Sequence, residues 1–189
     1  VAAMYPAGFC TYLNVDTIGD LFCGKTRPGH FRGVATVVAK LLNLVIAHNA
    51  YFGQKDAQQV IIVKRMIEDL HFPVRVRIVP TVRHVDGLAM SSRNAYLNPV
   101  QRKNAVILSK ALILARDLIR RGERNAWLIK RGMQRLINRV RGVRIDYVAI
   151  VDPVNLQPVQ KLSGKTLILL AVYIGTTRLI DNCFITIRK

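Results

Sequence analysis

Two short polar stretches of this sequence contain residues suited to bind an anionic ligand. The first consists of Gly53-Gln54-Lys55-Asp56 and follows an apolar run. A strand that ends at a glycine and continues into a helix leaves the first helical N–H groups unpaired, and the helix dipole favours negative charge there. Lys55 adds a cation, and Asp56 is placed to cap the helix. Gln58 and Gln59 are predicted to extend back into the same cleft, so this stretch predicts an anion site.

The second stretch is Met90-Ser91-Ser92-Arg93-Asn94. It lies between Gly87 and Pro99, which predicts an exposed loop. The planar guanidinium group of arginine matches the geometry of a phosphate, and neighbouring serine hydroxyl groups donate to further phosphate oxygens. A lone Ser-Ser-Arg run is more often an ordinary polar surface loop. In combination with residues 53–56, however, it predicts a pair of anion-binding loops, which is what a nucleoside triphosphate requires.

Hydrophobic periodicity predicts the elements that position these stretches. Helices are predicted over residues 34–47, 58–70, 100–121 and 125–139, and strands over residues 11–15, 50–52, 74–79, 143–151, 166–174 and 183–187. Asn98 is the predicted N-cap of the third helix, with Pro99 at its first position. Each of the two polar stretches therefore lies in a connection next to a predicted helix.

The order of these elements predicts an α/β protein with two domains. Alternating helices and strands with short connections, as in residues 1–82, are typical of a parallel sheet with crossover helices. Helices followed by strands, as in residues 83–189, indicate a smaller α+β domain with an antiparallel sheet. Two parallel strands are too few for a stable sheet, and the first residues include neither an initiator Met nor a signal peptide. We therefore expect a fragment whose remaining strands lie upstream of Val1.

The composition is that of a globular protein with an unusually basic surface. The 189 residues are 51% hydrophobic, and 29 Lys and Arg against 11 Asp and Glu give a net charge of +18. Thirteen of these cations fall within residues 100–144, where Asp117 and Glu123 are the acidic residues. A nucleic-acid-binding helical face is one interpretation. A solvated helical face is favoured, because Trp127 is alone and no aromatic stacking residues alternate with the charges.

Cysteine usage and hydropathy exclude two further classes of protein. Cys10, Cys23 and Cys183 are scattered without metal-ligand spacing, which predicts free thiols in a reducing compartment. No run approaches the roughly 18 consecutive apolar residues of a membrane span. We therefore expect neither a disulfide-rich secreted domain nor an integral membrane protein.

Six motifs of this sequence closely resemble those of the pantoate–β-alanine ligase family. In chain order they are Arg27-Pro28-Gly29-His30-Phe31-Arg32-Gly33-Val34, Phe52-Gly53-Gln54-Lys55-Asp56, Gln58-Gln59, Val79-Pro80-Thr81-Val82-Arg83, Asp86-Gly87-Leu88-Ala89-Met90-Ser91-Ser92-Arg93-Asn94 and Gly175-Thr176-Thr177-Arg178-Leu179-Ile180-Asp181-Asn182. The resemblance covers essentially the whole chain, in the order and spacing of the family.

The resemblance implies a fold and an activity. The fold is that of the nucleotidyltransferase superfamily, in which a Rossmann-like nucleotide-binding domain precedes a smaller C-terminal domain. The activity is the ligation of pantoate and β-alanine to pantothenate, a coenzyme A precursor. It uses ATP and Mg²⁺, passes through pantoyl adenylate, and releases pyrophosphate and AMP. A homodimer is also implied, and a cytoplasmic location is expected. The hydropathy and the isolated Trp127 predict neither a membrane nor a nucleic-acid partner.

The resemblance also implies roles for individual residues. Lys55 and Arg93 are the predicted catalytic cations. The residues that match the family's ATP-binding segments are Gly53, Gln54, Lys55, Asp56, Val82, Met90, Ser91, Ser92 and Arg93. Among them, Asp56 is expected near the ribose and the backbone of Val82 against adenine. Gln59 matches the glutamine that holds pantoate, and no Mg²⁺ ligands are assigned.

Some parts of the family pattern are absent from this sequence. The phosphate-binding histidine pair and the first pantoate-binding glutamine of the family are expected upstream of Val1, so the chain alone is predicted to be inactive. Gln54 replaces a frequent glutamate, and Ala57 stands where an aromatic residue is usual. The role of His30 is left open between facing the active site and capping the following helix. Two alternative functions are a non-catalytic remnant and a basic nucleic-acid-binding module.

Overall fold

A computed structural model describes residues 1–187, which form two compact units. The first unit comprises Val1–Val79, and the second begins at Pro80. This division lies close to the sequence-based boundary after residue 82. The assignment of residues 1–82 and 83–189 as domains stays a prediction, and each unit is described separately below.

The first unit places helices beside a parallel pair of strands. Its elements are α1 (Cys23–Thr26), α2 (His30–Val45), β1 (Asn49–Gly53), a 3₁₀ turn (Gln54–Asp56), α3 (Ala57–Asp69) and β2 (Arg75–Val79). β1 and β2 pair in parallel from Asn49↔Arg75 to Gly53↔Val79. One apolar face of α2 packs against α3 through Ala35, Ala39, Val63 and Met66. The predicted helix–strand–helix–strand order is thereby confirmed.

The second unit places helices against an antiparallel sheet. Its elements are a 3₁₀ turn (Ser92–Tyr96), α4 (Pro99–Ala105), α5 (Ile107–Arg120), α6 (Ala126–Asn138), β3 (Val143–Val151), β4 (Gly164–Ile174) and β5 (Thr177–Ile187). The strand order is β3-β4-β5. The apolar faces of α5 and α6 form one core with the sheet, and β4 is the buried central strand. The combination of a parallel pair with helices and a separate antiparallel sheet confirms the α/β fold class.

The predicted helix over residues 100–121 is two helices. α4 ends at Ala105 and α5 begins at Ile107. At Val106 the amide donates to the carbonyl oxygen of Lys103, three residues earlier, and the Ser109 hydroxyl donates to the Val106 carbonyl oxygen. Such i to i−3 bonding tightens the helix and interrupts the α-helical ladder. The predicted start is correct, because Asn98 and Gln101 form a reciprocal capping box and Pro99 is the first helical residue.

Two of the predicted strands differ from the structure. Residues 11–15 form no strand, and the Leu13 N–H donates instead to the Thr36 hydroxyl of α2 at 2.9 Å. β5 begins at Thr177 rather than at residue 183. The part of β5 that was not predicted, residues 177–182, includes two buried polar residues, Asp181 and Asn182. Buried polar residues interrupt the apolar alternation that identifies a strand in a sequence.

Candidate functional site

In the first unit, the 53–56 stretch forms the connection between β1 and α3. Gly53 is the last residue of β1, and residues 54–56 form a 3₁₀ turn before the helix. A Cβ atom built on Gly53 would meet no atom within 4 Å, so the chain leaves open space beside this residue. The structure thus places Gly53, Gln54, Lys55 and Asp56 together at the carboxyl end of a strand, as the sequence predicts.

The charged groups of this turn lie side by side. The Lys55 side chain is only 17% exposed, and its Nζ lies 4.0 Å from Oδ1 of Asp56. Asp56 occupies the N-cap position of α3, but its side chain makes no capping hydrogen bond. The prediction that the Asp56 side chain caps the helix is therefore wrong. A 3₁₀ turn precedes the helix, and the carboxylate is half exposed beside Lys55.

The two glutamines that follow have different environments. The Gln58 side chain is buried, and its Nε2 donates to the carbonyl oxygens of Ile18 and Leu21 at 3.0 and 2.8 Å. Its Oε1 accepts from the Cys23 N–H at 3.1 Å. Gln58 therefore fixes the 18–23 loop and is not directed into a cleft, which corrects the prediction. The Gln59 side chain is partly exposed and bonds to none of the residues that the structure describes.

His30 and the cavities of this unit lie outside the 53–56 turn. His30 is the first residue of α2, whose N-cap is Gly29, and its Nε2 lies 3.0 Å from Nη1 of Arg27. A cavity of about 370 Å³ is lined by the 13–18 segment and α3, and one of about 350 Å³ lies beside Gly29 and Arg32. None of the predicted site residues lines either cavity.

In the second unit, residues 82–90 form a small hairpin, called here the 82–90 hairpin. The Met90 N–H donates to the Val82 carbonyl oxygen at 2.9 Å, and Arg83 and Ala89 form an antiparallel bridge. Val82 is 61% exposed, and its own N–H makes no hydrogen bond to the described residues. The hairpin therefore brings together two predicted ATP-binding residues, Val82 and Met90, that lie eight positions apart in the sequence.

The predicted phosphate-binding run begins at Met90 in this hairpin and continues through Ser91, Ser92 and Arg93 directly after it. Ser91 caps the 3₁₀ turn Ser92–Tyr96, and its Oγ accepts from the Arg93 N–H at 3.2 Å. Ser92 and Arg93 are exposed, and Arg93 has no ion pair with any carboxylate of the described residues. The side-chain amide of Asn94 donates to the Ala89 carbonyl oxygen, and this bond connects the 3₁₀ turn to the hairpin. The structure thus leaves the Arg93 guanidinium available to an anion.

Two ion pairs that the sequence analysis missed hold the hairpin. The Arg83 guanidinium donates to both carboxylate oxygens of Asp181 at 2.7 and 2.8 Å, and also to the Gly87 carbonyl oxygen at 2.9 Å. The hydrogen bonds to Asp181 raise the pKa of Arg83 above its ordinary value. Arg102 donates to both oxygens of Asp86, which lowers the pKa of that carboxyl group. Arg83, Asp86 and Asp181 belong to the motifs that resemble the family, and this was the available signal for them; Arg102 lies outside those motifs.

The hairpin turn requires a glycine at position 87. Gly87 has a φ of +89°, and a Cβ atom there would lie 2.8 Å from the Ser109 hydroxyl oxygen. Asp86 Oδ1 accepts from the Leu88 N–H, and the Leu88 side chain is buried in the core of the unit. The loop that precedes the Ser-Ser-Arg run is therefore ordered by backbone, core and ionic contacts.

The described residues provide no evident resident metal site. In residues 1–187, no three His, Cys, Asp or Glu side chains come together as metal ligands. Carboxylate oxygens are the protein ligands that Mg²⁺ usually takes, together with the phosphates of a substrate. These residues therefore do not fit a resident Mg²⁺, and no chemical step is assigned to one below.

Part of the basic excess of the second unit lies on α6. This helix contains Lys130, Arg131 and Arg135 and no acidic residue. Trp127 is 58% exposed, and the guanidinium of Arg131 lies over its ring, 4.8 Å from the ring centroid.

Among the described residues, no helix is long and apolar enough to cross a membrane.

Comparison with known proteins identifies the family. The sequence profile described as pantoate-β-alanine ligase matches residues 1–184 of this chain. The chain belongs to the pantoate–β-alanine ligase family. The resemblance inferred from the motifs is confirmed.

Curated relatives in this family are about half identical to the chain. A pantothenate synthetase of Moorella thermoacetica is 53% identical over 182 residues, which are 96% of this chain and 64% of the relative. A pantothenate synthetase of Acetivibrio thermocellus is 51% identical over 187 residues, 99% of this chain and 66% of the relative. The chain thus spans about two thirds of the length of these relatives.

Solved structures of the family have the same fold. The crystal structure of pantothenate synthetase from Thermus thermophilus matches with a TM-score of 0.93 and 45% identity over 96% of this chain and 66% of that chain. A pantoate-β-alanine ligase from Francisella tularensis, complexed with βγ-ATP and β-alanine, matches with a TM-score of 0.70 and 31% identity over 96% of this chain and 61% of that chain.

Proposed function

We propose that the protein to which this chain belongs joins pantoate to β-alanine at the expense of ATP, giving pantothenate, AMP and pyrophosphate. The observation that supports this most strongly is the family match over residues 1–184. The structural match to a ligase whose complex contains βγ-ATP and β-alanine supports the same substrates. The exposed positions of Val82, Ser92 and Arg93 are consistent with contact to a nucleotide.

In the first proposed step, a pantoate carboxylate oxygen attacks the α-phosphorus of ATP. The new P–O bond gives pantoyl adenylate, and the bond to the β-phosphate breaks with release of pyrophosphate. A carboxylate is already ionised at neutral pH, so the step needs no general base. Catalysis then depends on positioning and on stabilising the negative charge of the phosphates.

The cations of the motifs are proposed to supply that stabilisation. Lys55 is assigned to the triphosphate, and its low exposure strengthens its interaction with an anion relative to a fully solvated lysine. Arg93 is assigned to the phosphates through its unpaired planar guanidinium. Ser91 and Ser92 are proposed to assist it, although the Ser91 hydroxyl oxygen already accepts from the Arg93 N–H.

The remaining predicted site residues are assigned to the adenosine part of ATP and to pantoate. Gly53 leaves room for close approach of the nucleotide. Asp56 is assigned to the neighbourhood of the ribose, and Gln54 to the ATP site. The backbone of Val82, whose N–H makes no hydrogen bond to the described residues, is proposed to contact adenine, and Met90 is assigned to the phosphates with Ser91, Ser92 and Arg93. Gln59 is assigned to pantoate, because its amide is free to bond a substrate carboxylate or hydroxyl.

In the second proposed step, the amine of β-alanine attacks the acyl carbon of pantoyl adenylate. The new C–N bond forms the amide of pantothenate, AMP leaves with the bridging oxygen, and the nitrogen loses a proton. We further propose Mg²⁺ bound to the phosphates of the substrate, a homodimer, and a cytoplasmic location. The 189-residue chain is proposed to be inactive without the part of its relatives that the match leaves uncovered.

Isotope exchange tests this function. Two proteins are compared: the chain itself, and the chain joined to the part of the Moorella thermoacetica relative outside the match, called here the completed enzyme. The completed enzyme is expected to exchange labelled pyrophosphate into ATP only when pantoate is present, and the chain alone is expected not to do so. Absence of exchange in both proteins, or exchange without pantoate, would contradict the proposal.

No specific observation favours a nucleic-acid-binding module. The Arg131 guanidinium lies over the Trp127 ring, and α6 contains no second aromatic residue on which a neighbouring base could stack. The expectation that nucleic acid is not a partner stays a prediction. Retardation of single-stranded RNA by the chain, with a steep dependence on salt, would support that alternative instead.

A further inference from the structure

An ion pair with a buried carboxylate connects the 82–90 hairpin to the last strand of the sheet. Asp181 lies on β5 and is 1% exposed, and both of its carboxylate oxygens accept from Arg83. Its Oδ1 also accepts from the Asn182 N–H at 2.8 Å. The two residues are 98 positions apart in the sequence. A bidentate pair of this kind fixes the position and the orientation of both partners.

The same guanidinium fixes the shape of the hairpin. Arg83 Nη1 donates to the carbonyl oxygen of Gly87 as well as to Asp181, so one group joins the stem, the turn and the sheet. Arg83 lies directly after Val82, and its bridge partner Ala89 lies directly before Met90. A shift of the Arg83 backbone would therefore displace Val82, which the proposed function assigns to adenine, and also Met90, the first residue of the run assigned to the phosphates.

We propose that Arg83 and Asp181 are positioning residues, which hold the 82–90 hairpin in the arrangement that binds the adenine end of ATP. This inference rests on the proposed function for the identity of the ligand. The pair itself contacts no substrate in the proposal. The pair acts on the position of Val82 and Met90 through two hydrogen bonds. The Met90 N–H donates to the Val82 carbonyl oxygen, and the Asn94 side-chain amide donates to the Ala89 carbonyl oxygen.

Hydrogen exchange of the free chain tests the positioning without reference to activity. Asp181→Asn removes the charge and one acceptor, and Arg83→Lys retains the charge but cannot form the bidentate pair. In both variants the bonded amides of His84, Gly87 and Met90 are expected to exchange about tenfold faster or more. The amides of β3 and β4 are expected to remain unchanged.

A matched control breaks a different Arg–Asp pair of the same unit. Arg178 donates to Asp146 at 2.8 and 2.9 Å, and both side chains are largely buried. Arg178→Gln removes a comparable pair and is expected to leave exchange in the 82–90 hairpin within about twofold of the unmodified chain. If Asp181→Asn fails to fold, the comparison of Arg83→Lys with Arg178→Gln decides the same question.

Steady-state kinetics of the completed enzyme provide the second readout. Arg83→Lys is expected to raise the KM for ATP about tenfold while the KM for pantoate changes less than about twofold. A merely structural pair would lower the amount of active enzyme and leave the KM for ATP unchanged. Unchanged hairpin exchange, or faster exchange with an unchanged KM for ATP, would overturn the proposal. An inactive completed enzyme would instead contradict the proposed function, since the exchange measurement does not depend on catalysis.

Discussion

The Met90 amide donates a hydrogen bond to the Val82 carbonyl oxygen across 2.9 Å, so two motifs of the family meet at the end of one hairpin. The contact that Val82 is proposed to make with adenine is through its backbone, as the family resemblance implies. The arrangement therefore depends on the conformation of the hairpin more than on the side chain at position 82. This relationship leads to the first prediction.

Gly87→Ala is expected to destabilise the second unit by about 1–3 kcal/mol. The added methyl group would both occupy a left-handed backbone conformation and lie 2.8 Å from the Ser109 hydroxyl oxygen. Urea unfolding measures the change. Gly142→Ala is the control, because Gly142 has a φ of +79° but open space around its Cβ position. A smaller cost for Gly87→Ala than for Gly142→Ala would contradict the steric argument, and adding Ser109→Ala is expected to restore part of the lost stability.

Replacing either proposed catalytic cation is expected to reduce kcat of the completed enzyme strongly. Loss of a positioned group that stabilises transition-state charge typically costs about 10²–10³ in rate, which is the effect expected for Lys55→Ala and Arg93→Ala. Lys64→Ala and Arg135→Ala remove exposed cations from α3 and α6 and serve as controls. These controls are expected to retain kcat within about twofold, since surface substitutions away from a site have small effects. Equal losses in all four variants would indicate a general effect of net charge instead.

Adjacent glutamines are expected to respond in opposite ways. Gln58→Ala removes three hydrogen bonds, to the Cys23 N–H and to the carbonyl oxygens of Ile18 and Leu21, so the free energy of unfolding should fall by about 2–3 kcal/mol. Gln59→Ala should change stability by less than about 0.5 kcal/mol and raise the KM for pantoate. Chemical unfolding and steady-state kinetics distinguish the two. A pantoate effect from Gln58→Ala in fully folded enzyme, with none from Gln59→Ala, would reverse the assignment.

The stability of the second unit is expected to fall as the pH rises above about 9. Burial raises the pKa of the Cys183 thiol from its ordinary 9.0 to about 11, an effect that the neighbouring Arg116 only partly offsets. Above pH 9 the unfolded chain ionises its thiol while the folded chain does not, so folding loses roughly 2 kcal/mol by pH 11. Below pH 9 this thiol contributes no pH dependence.

Comparing Cys183→Ala with the unmodified chain separates the effect of the Cys183 thiol on stability from that of other groups that titrate in the same pH range. Urea unfolding from pH 8 to 11 should show a shallower loss of stability in Cys183→Ala than in the unmodified chain. Cys10→Ala removes an exposed thiol and should retain the original slope. Identical slopes in all three proteins would show that the buried thiol is not the cause.

Local patterns in the sequence predicted much of the fold and the exposed parts of the candidate site. The apolar stripe of α2, the alternation of β2 and the Asn98–Pro99 helix start each depend on neighbouring residues, and the structure contains all three. The position of Lys55 after a strand and of Arg93 in an exposed turn likewise followed from adjacent glycine, proline and polar residues.

Long-range hydrogen bonds account for most of what was not predicted. The bonds from Gln58 to the 18–23 loop span 35–40 residues, and the Arg83–Asp181 pair spans 98. A polar side chain at a helix start is equally compatible with a ligand site and with a buried loop anchor until the partner is located. Composition and periodicity do not specify such partners, because those patterns report the faces of elements and not the contacts between them.

Oxygen transfer from pantoate to AMP tests the proposed adenylate most directly. The completed enzyme is supplied with ATP, β-alanine and pantoate that carries ¹⁸O in both carboxylate oxygens, and the products are analysed by mass spectrometry. Attack of the carboxylate on the α-phosphorus predicts AMP with one ¹⁸O atom, unlabelled pyrophosphate, and pantothenate that retains one ¹⁸O atom. Unlabelled AMP, or formation of ADP with labelled inorganic phosphate, would contradict an adenylate intermediate.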